Sequence, residues 1–238
     1  MNRIVLSLSI AALASCHSNG DDREPKSAHA APQPQATPRV VPQGLHLDFE
    51  QVAEGALPAG WSVAETQGAG KLATWSVGAA PDGGRALHVA AANEGGTFNL
   101  LLSPEPQPAD LAFSARVRAD TGEEDRGGGL VWRAKSAGDY YVARWNPLEE
   151  NLRVYKVVAG VRTLLQNADC KAAGDAWHSL RVTMVGAHIQ VALDGAALLD
   201  TQDASLADAG RVGLWTKADA STWFDDLEVQ EPTWPEER

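Results

Sequence analysis

The stretch from residue 127 to 158, GGGLVWRAKSAGDYYVARWNPLEENLRVYKVV, constrains the fold of this chain most. It reads as three successive strands joined by a Gly-Asp turn and an Asn-Pro loop. Apolar and polar residues alternate along each strand, so each strand has one face for a core and one for another role. The core face is predicted to hold Leu130, Trp132, Tyr141, Ala143, Trp145, Leu152 and Val154. The opposite face is predicted to hold Arg133, Arg144, Asn146, Arg153 and Tyr155.

Short strand patterns continue on both sides of this stretch and predict an all-β protein. Residues 110–118, DLAFSARVR, alternate cleanly, and so do residues 177–185, WHSLRVTMV. Asp194-Gly195 is the strongest hairpin signal in the chain. Only residues 206–208 suggest a helical turn. Many short strands with turn signals every ~8–12 residues predict an antiparallel β-sandwich or barrel, and the length of 238 residues suits one such domain.

The first sixteen residues form a separate unit. Arg3 precedes an apolar run from Ile4 to Leu13, which is too short to span a bilayer, and LASC follows it. This stretch resembles the signal of bacterial lipoproteins, in which the lipobox cysteine, here Cys16, is acylated. The resemblance implies an exported, membrane-anchored lipoprotein, and His17 in place of Asp implies the outer membrane, on its periplasmic or surface face.

The remaining chain divides by composition. Residues 17–44 are rich in Pro, Ala and Gln and predict a disordered linker, residues 45–230 the folded domain, and residues 231–238 a tail. The chain has two cysteines, so lipid on Cys16 leaves Cys170 without a disulfide partner. Cys170 is then a buried small apolar residue or a loop thiol.

The charge of the chain limits which molecules it is expected to bind. The formal net charge of -11 makes nucleic acid an improbable partner, because phosphate backbones require a basic surface. Between residues 126 and 181, however, nine Lys or Arg accompany five Asp or Glu. Planar guanidinium donors and a tyrosine ring suit a sugar or a carboxylate. The alternative is a solvated sheet face whose arginines pair with Glu149, Glu150 and Asp139. The candidate ligand-binding residues are Arg133, Arg144, Asn146, Arg153, Tyr155, Trp215 and Lys217.

Two further segments carry a family resemblance. WHSLRVTMVGAHIQVALDG and DAGRVGLWTKADASTWFDDLEV resemble the C-terminal half of concanavalin A-like, laminin-G-like jelly-roll domains of exported bacterial proteins. GGLVWRA and YYVARWNPLEENLRVYKV are similar to the middle strands of that group, which includes 3-keto-disaccharide hydrolase-type domains. The resemblance implies two stacked antiparallel sheets, one of them concave, with sugars bound on the concave sheet. The same superfold has many unrelated functions.

No catalytic set emerges. Laminarinase-type glycosidases of this fold carry E-x-D-x-x-E on one strand, and residues 123–128, EEDRGG, lack the second glutamate. His178 and His188 are each isolated on a strand, which is typical of a structural histidine. No zinc-ligand spacing occurs.

A structural calcium site is a further candidate. Its ligands would come from the two ends of the domain, which often lie close together, and hard oxygen ligands suit Ca²⁺. The alternative is that these carboxylates cap strands or pair with arginines. The candidate ligands are Asp48, Glu50, Asp225 and Asp226.

These observations predict a lipid-anchored, exported carbohydrate-binding domain that uses its concave face, with a saccharide or a cell-envelope glycan as partner. Two alternatives stay open: a glycoside hydrolase or lyase that acts on a modified disaccharide, and a structural or adhesion module of the cell envelope. The lipid anchor would be the chain's only membrane contact.

Overall fold

The computed structural model describes residues 44–68 and 71–233. The predicted signal sequence with Cys16, most of the linker and the end of the tail lie outside these residues. Within the described ranges, no helix is long and apolar enough to cross a bilayer. The strands are β1 His46–Leu47, β2 Ser62–Thr66, β3 Thr74–Ala79, β4 Arg85–Ala90, β5 Phe98–Gln107, β6 Leu111–Ala119, β7 Gly128–Ser136, β8 Asp139–Asn146, β9 Asn151–Val158, β10 Val161–Asp169, β11 His178–Val185, β12 His188–Leu193, β13 Ala196–Gln202, β14 Gly210–Lys217 and β15 Thr222–Gln230.

The strands form two antiparallel sheets. The eight-stranded sheet has the order β13-β12-β11-β6-β15-β4-β3, with β1 beside β15. The seven-stranded sheet has the order β10-β9-β8-β7-β14-β5-β2. The two sheets pack face to face as the predicted jelly-roll sandwich, and an apolar core fills the space between them.

Strand alternation placed this core correctly. The seven residues predicted to face inward between Leu130 and Val154 are all buried in it. Alternate residues of β6, β11 and β12 face them from the other sheet, including Phe113, Val182 and Val191. One buried face on each strand requires a repeat of two residues, and that repeat is visible in the sequence.

The turns agree with the sequence at one predicted position and differ at another. Asp194 and Gly195 connect β12 to β13, and both have positive φ, 51° and 80°. This is the conformation that a two-residue hairpin turn requires. The predicted helical turn at residues 206–208 was wrong, because the chain there makes bends without helical structure.

The seven-stranded sheet is strongly curved. Arg162 on β10 lies with its guanidinium carbon 4.7 Å from the ring centroid of Phe98 on β5, five strands away. In a flat sheet that separation is roughly 24 Å. Gln67, just after β2, also donates a hydrogen bond of 2.7 Å to the carbonyl of Gly160 at the β9–β10 turn. The sheet therefore curls until its outer strands meet, and we call the inside of this curl the concave face.

The concave face has an apolar cluster of its own, separate from the core between the sheets. Its members lie on β5, β7, β8, β9 and β14 and are almost completely buried, so much of the curl is filled by side chains. The alternation of polar and apolar residues in the sequence instead suggests a concave face whose aromatic rings and guanidinium groups are accessible to a ligand. The cluster consists of Phe98, Leu100, Leu102, Val131, Ala134, Tyr140, Val142, Tyr155, Val157 and Trp215.

Candidate functional site

One row of residues crosses the concave face. Trp215 pairs with Gly129, Gly129 with Arg144, and Arg144 with Arg153, on β14, β7, β8 and β9. Paired residues on neighbouring antiparallel strands point to the same side, so the two arginines and the tryptophan face one space. Gly129 leaves this row without a side chain between the ring and the first guanidinium.

Two carboxylates join the arginines at one end of the row. Glu149 Oε1 lies 3.1 Å from Arg144 Nη2, and Glu149 Oε2 lies 2.9 Å from Arg153 Nη1. Asp125 Oδ1 lies 3.7 Å from Arg144 Nη2, and Asp125 Oδ2 lies 3.0 Å from Lys217 Nζ. We call these five residues the Arg144 cluster. It contains three cations and two carboxylates.

The Arg144 cluster grades from buried to exposed. The side chains of Arg144 and Asp125 are only 2% and 3% exposed, whereas those of Arg153 and Glu149 are 31% and 39% exposed. Lys217 is 18% exposed. A ligand therefore meets Arg153, Glu149 and Lys217 first, with Arg144 below them.

The cluster keeps Glu149 ionised. Partial burial acts to raise the pKa of Glu149, but a hydrogen bond from Asn151 and the positive charges of Arg144, Arg153 and Lys217 together outweigh it. The pKa of Glu149 is therefore lowered, and the residue is a carboxylate at neutral pH.

Asn146 organises the loop that carries Glu149. Its amide nitrogen donates to Asp125 Oδ1 at 2.9 Å, and its oxygen accepts bonds from the backbone N–H groups of Leu148 and Glu149 at 2.8 and 3.0 Å. Asn146 is fully buried. The predicted ligand-binding residue Asn146 thus holds the site in shape, because its polar atoms already have partners within the protein.

The aromatic residues on this face are also in contact with the protein. Tyr155 lies beneath the guanidinium of Arg162, which is 4.4 Å from its ring centroid, and its hydroxyl receives a bond of 3.4 Å from Arg153 Nη1. Trp215 packs against Phe98 at 5.3 Å between ring centroids. Tyr155 and Trp215 share the concave face as predicted, but both are buried, so neither offers a broad stacking surface.

Arg133 does not belong to this site. It was predicted to face outward with Arg144, but it is 1% exposed and lies in a β-bulge between Trp132 and Ser136, with a positive φ of 50°. The bulge redirects the side chain. Its guanidinium donates hydrogen bonds to the carbonyls of Ala109, Leu206 and Gly186 at 2.8, 3.0 and 2.9 Å. Arg133 therefore connects three loops.

Sequence reasoning missed two members of this region and placed a third only as an alternative. The sequence interpretation treated Asp125 as part of an incomplete glycosidase motif. The signal that could have found it is the cationic residues that flank it in sequence, because a buried carboxylate needs cationic partners. Arg162 gave no signal, because its contact with Phe98 depends on the curl of the sheet. Glu149 was named only as an ion-pair partner of the arginines, and that pairing is confirmed.

Cys170 and the predicted structural histidines do not form a nucleophilic site. Cys170 is free and buried, and burial followed by the charge of Asp194 raises the pKa of its thiol. Both ring nitrogens of His178 have partners, Asp194 Oδ2 at 2.7 Å and the carbonyl of Ala173 at 2.8 Å. His188 bonds to Asp200 at 2.7 Å. These contacts match the structural role that was expected.

The carboxylates proposed as calcium ligands have other partners. Asp48 accepts a bond from the backbone of Glu50, Glu50 accepts one from Arg85 N at 3.0 Å, and Asp225 lies 3.4 Å from Arg116 Nη1. Among residues 44–68 and 71–233, no three His, Cys, Asp or Glu side chains converge in a group that could hold a metal ion. The calcium site at Asp48, Glu50, Asp225 and Asp226 stays a prediction.

Asp225 predicts a specific pH dependence of stability. Burial, with the charges of Asp226 and Glu50, raises its pKa from 3.8 to about 6. Because the folded pKa is the higher one, the fold loses stability as the pH rises from about 4 to about 6, on the order of 2 kcal/mol in total. We expect Asp225→Asn to raise the free energy of unfolding by this amount at pH 7 and to change it little near pH 4. Urea denaturation at both pH values measures this.

The control for this experiment is Asp82→Asn, since Asp82 also pairs with Arg116 but has a lowered pKa. That variant should lose stability at pH 7 rather than gain it. A loss of stability in Asp225→Asn at pH 7 would show that the pairing of Asp225 with Arg116 dominates. If Ca²⁺ binds here, calcium would raise the melting temperature of the unmodified chain at pH 7, and a chelator would reverse the gain.

Comparisons with known proteins agree with the fold. No family model and no curated protein matches the sequence. Among solved structures, the carbohydrate binding module CBM66 from Bacillus subtilis superposes with a TM-score of 0.60 at 17% identity and covers 72% of this chain and 95% of its own. Cellulose induced protein Cip1 superposes with a TM-score of 0.59 at 13% identity, over 79% of this chain and 97% of its own. The Bacillus licheniformis beta-glucanase superposes with a TM-score of 0.53 at 10% identity, over 79% of this chain and 97% of its own. At these identities the likeness shows the jelly-roll fold.

Proposed function

We propose that the domain binds a saccharide at the Arg144 cluster, on the concave face of the seven-stranded sheet. The observation that carries the proposal is the row of paired residues that ends in Arg144 and Arg153, with exposed Glu149 and partly exposed Lys217 at its rim. Two of the proteins with this fold are named for carbohydrates, a carbohydrate binding module and a beta-glucanase, which supports a sugar as the ligand.

The chemistry of the cluster suits sugar hydroxyls, which both donate and accept hydrogen bonds. Arg153 and Lys217 supply donors, and Glu149 supplies a carboxylate acceptor. Charged partners make stronger hydrogen bonds than neutral ones, so a few of them can orient a small polar ligand. The ring of Tyr155 contacts this group of residues, because its hydroxyl accepts a hydrogen bond from Arg153.

Hydrolysis is the second candidate, and one observation favours it. Asp125 and Glu149 both approach Arg144 Nη2, so their nearest oxygens lie within roughly 7 Å of each other, a spacing found in glycosidases. A glycosidase also needs one carboxylic acid with a raised pKa to protonate the leaving group. The pKa of Glu149 is lowered, and both oxygens of Asp125 accept bonds from Asn146 and Lys217. Binding without hydrolysis therefore fits the cluster better.

The test is a glycan array probed with the full chain, followed by calorimetry on the glycans retained. We expect Arg153→Ala to weaken binding at least fivefold, because it removes an exposed donor of the site. The matched control is Arg181→Ala on β11, a partly exposed arginine on the other sheet, which should bind as the unmodified chain does. Binding of no glycan would favour the structural or adhesion module, and product release from a bound glycan would favour the hydrolase.

The same proposal includes export and anchoring through lipid on Cys16, with residues 17–44 as a tether to the membrane. The net charge of -11 supports the expectation that the chain does not bind nucleic acid. Labelling of expressed chain with a radioactive fatty acid tests the anchor, since Cys16→Ser would abolish the label.

A further inference from the structure

We infer that the saccharide bound at the Arg144 cluster is acidic, and that its carboxylate or sulfate group replaces the side chain of Glu149 between Arg144 and Arg153. This inference rests on the proposed function and specifies its ligand class. In this arrangement, Glu149 occupies the position of the acidic group when no ligand is bound, and Arg144 and Arg153 bind that group in the complex.

The first observation is the position of the Glu149 carboxylate. Its two oxygens divide between two guanidinium groups, at 3.1 Å from Arg144 and 2.9 Å from Arg153. Two arginines that share one planar anion form a geometry suited to carboxylate and sulfate ligands. The side chain of Glu149 is 39% exposed and belongs to the loop between β8 and β9, so it can leave without disturbing the core. An acidic group from a ligand would then find both arginines in place.

The second observation is an unused donor. Arg144 is 98% buried, and its Nε atom has no hydrogen-bond partner among the described residues. Its Nη2 atom lies near two carboxylates, but neither contact has hydrogen-bond geometry. A buried N–H group without an acceptor is costly. An oxygen-rich anion would satisfy such donors, whereas another donor would not.

The third observation is the charge balance. The Arg144 cluster holds three cations, Arg144, Arg153 and Lys217, and two carboxylates, Asp125 and Glu149, so it carries one excess positive charge inside a chain of -11. Once Glu149 has moved aside, one carboxylate of the cluster opposes its three cations. The vacated position is therefore strongly favourable for an anion and offers a neutral sugar no equivalent gain.

A neutral saccharide would use the site differently, and this difference makes the inference testable. For a neutral ligand, Glu149 is a hydrogen-bond acceptor, so Glu149→Gln weakens binding. For an acidic ligand, Glu149 is a competitor, so Glu149→Gln strengthens binding. Glu150→Gln is the matched control, because the adjacent Glu150 is exposed and pairs with Lys171 instead of the arginines.

The experiment measures calorimetric affinities of the full chain for two pairs of probes: oligogalacturonate with its carboxyl-reduced neutral counterpart, and dextran sulfate with dextran. We expect an acidic probe to bind at least tenfold more tightly than its neutral partner. Glu149→Gln should raise the affinity for that acidic probe about threefold, Arg153→Ala should lower it at least fivefold, and Glu150→Gln should leave it unchanged. Preference between the two acidic probes identifies a carboxylate or a sulfate.

Four results would overturn the inference. Equal binding of acidic and neutral probes, or weaker binding by Glu149→Gln, leaves the proposed sugar site standing but removes its acidic specificity. Acidic binding that Arg153→Ala does not change, and that falls away in salt, indicates non-specific attraction elsewhere on the surface. Binding of no probe, together with a silent glycan array, overturns the proposed function as well.

Discussion

Arg133→Ala is expected to lower the free energy of unfolding by about 4 kcal/mol. Three backbone carbonyls, from Ala109, Gly186 and Leu206, would lose the donor that now satisfies them, and a cavity would replace a side chain that is 1% exposed. Losses of this size follow when a buried charged network is broken. Urea denaturation followed by tryptophan fluorescence measures the change.

Two further variants separate the causes of that loss. Arg133→Met fills most of the volume and removes only the donors, so it should recover part of the stability, about 1–2 kcal/mol, by avoiding the cavity. Arg181→Ala, a partly exposed arginine on the other sheet, should change stability by less than about 0.5 kcal/mol. A loss below about 1 kcal/mol in Arg133→Ala would contradict the structural role given to this arginine.

Asp125→Ala is the second variant with a large expected effect, a loss of about 3–5 kcal/mol. The buried carboxylate neutralises Arg144 and Lys217 and accepts a hydrogen bond from Asn146. Its removal takes one of two nearby carboxylates from the buried guanidinium of Arg144 and takes the ion-pair partner from Lys217. Breaking a buried ion pair by removing one partner is strongly destabilising. Thermal unfolding monitored by circular dichroism provides the measurement.

Asp125→Asn tests whether charge or shape matters at this position. It keeps an oxygen for the amide of Asn146 but loses the charge, so we expect about half of the loss seen in Asp125→Ala. Adding salt should change the difference in free energy of unfolding between the two variants very little, because the ion pair of Asp125 with Arg144 is buried and weakly screened. Equal stability of the asparagine variant and the unmodified chain would show that the charge of Asp125 does not stabilise the fold.

The sequence alone predicted the layers of the fold and the core face of its strands. Leu130, Trp132, Tyr141 and Ala143 lie in the core as expected, because strand alternation is a local property. The prediction failed at Arg133 because a bulge interrupts the alternation, and no glycine or asparagine marks it in the sequence. A short-range pattern cannot reveal a change of register whose cause lies in the loops that the guanidinium binds.

The site was predicted in part for a related reason. Arg144, Arg153, Tyr155, Trp215 and Lys217 do share one face, since β-pairing and alternation fix which side each residue takes. How closed that face is depends on the curl of the sheet, which brings together residues that lie far apart in sequence. Single-strand patterns contain no information about this curvature, so the burial of Tyr155 and Trp215 was not foreseen.

The strand order affects when the chain can fold during its synthesis. β14 lies between β7 and β5 in one sheet, and β15 lies between β6 and β4 in the other, so the last two strands occupy interior positions in both. Until they are made, each layer has a gap near its middle, and no set of earlier strands can form a finished sandwich. Closing such long loops is slow and costs entropy. A growing polypeptide of this topology therefore stays incompletely folded until both β14 and β15 have been synthesised.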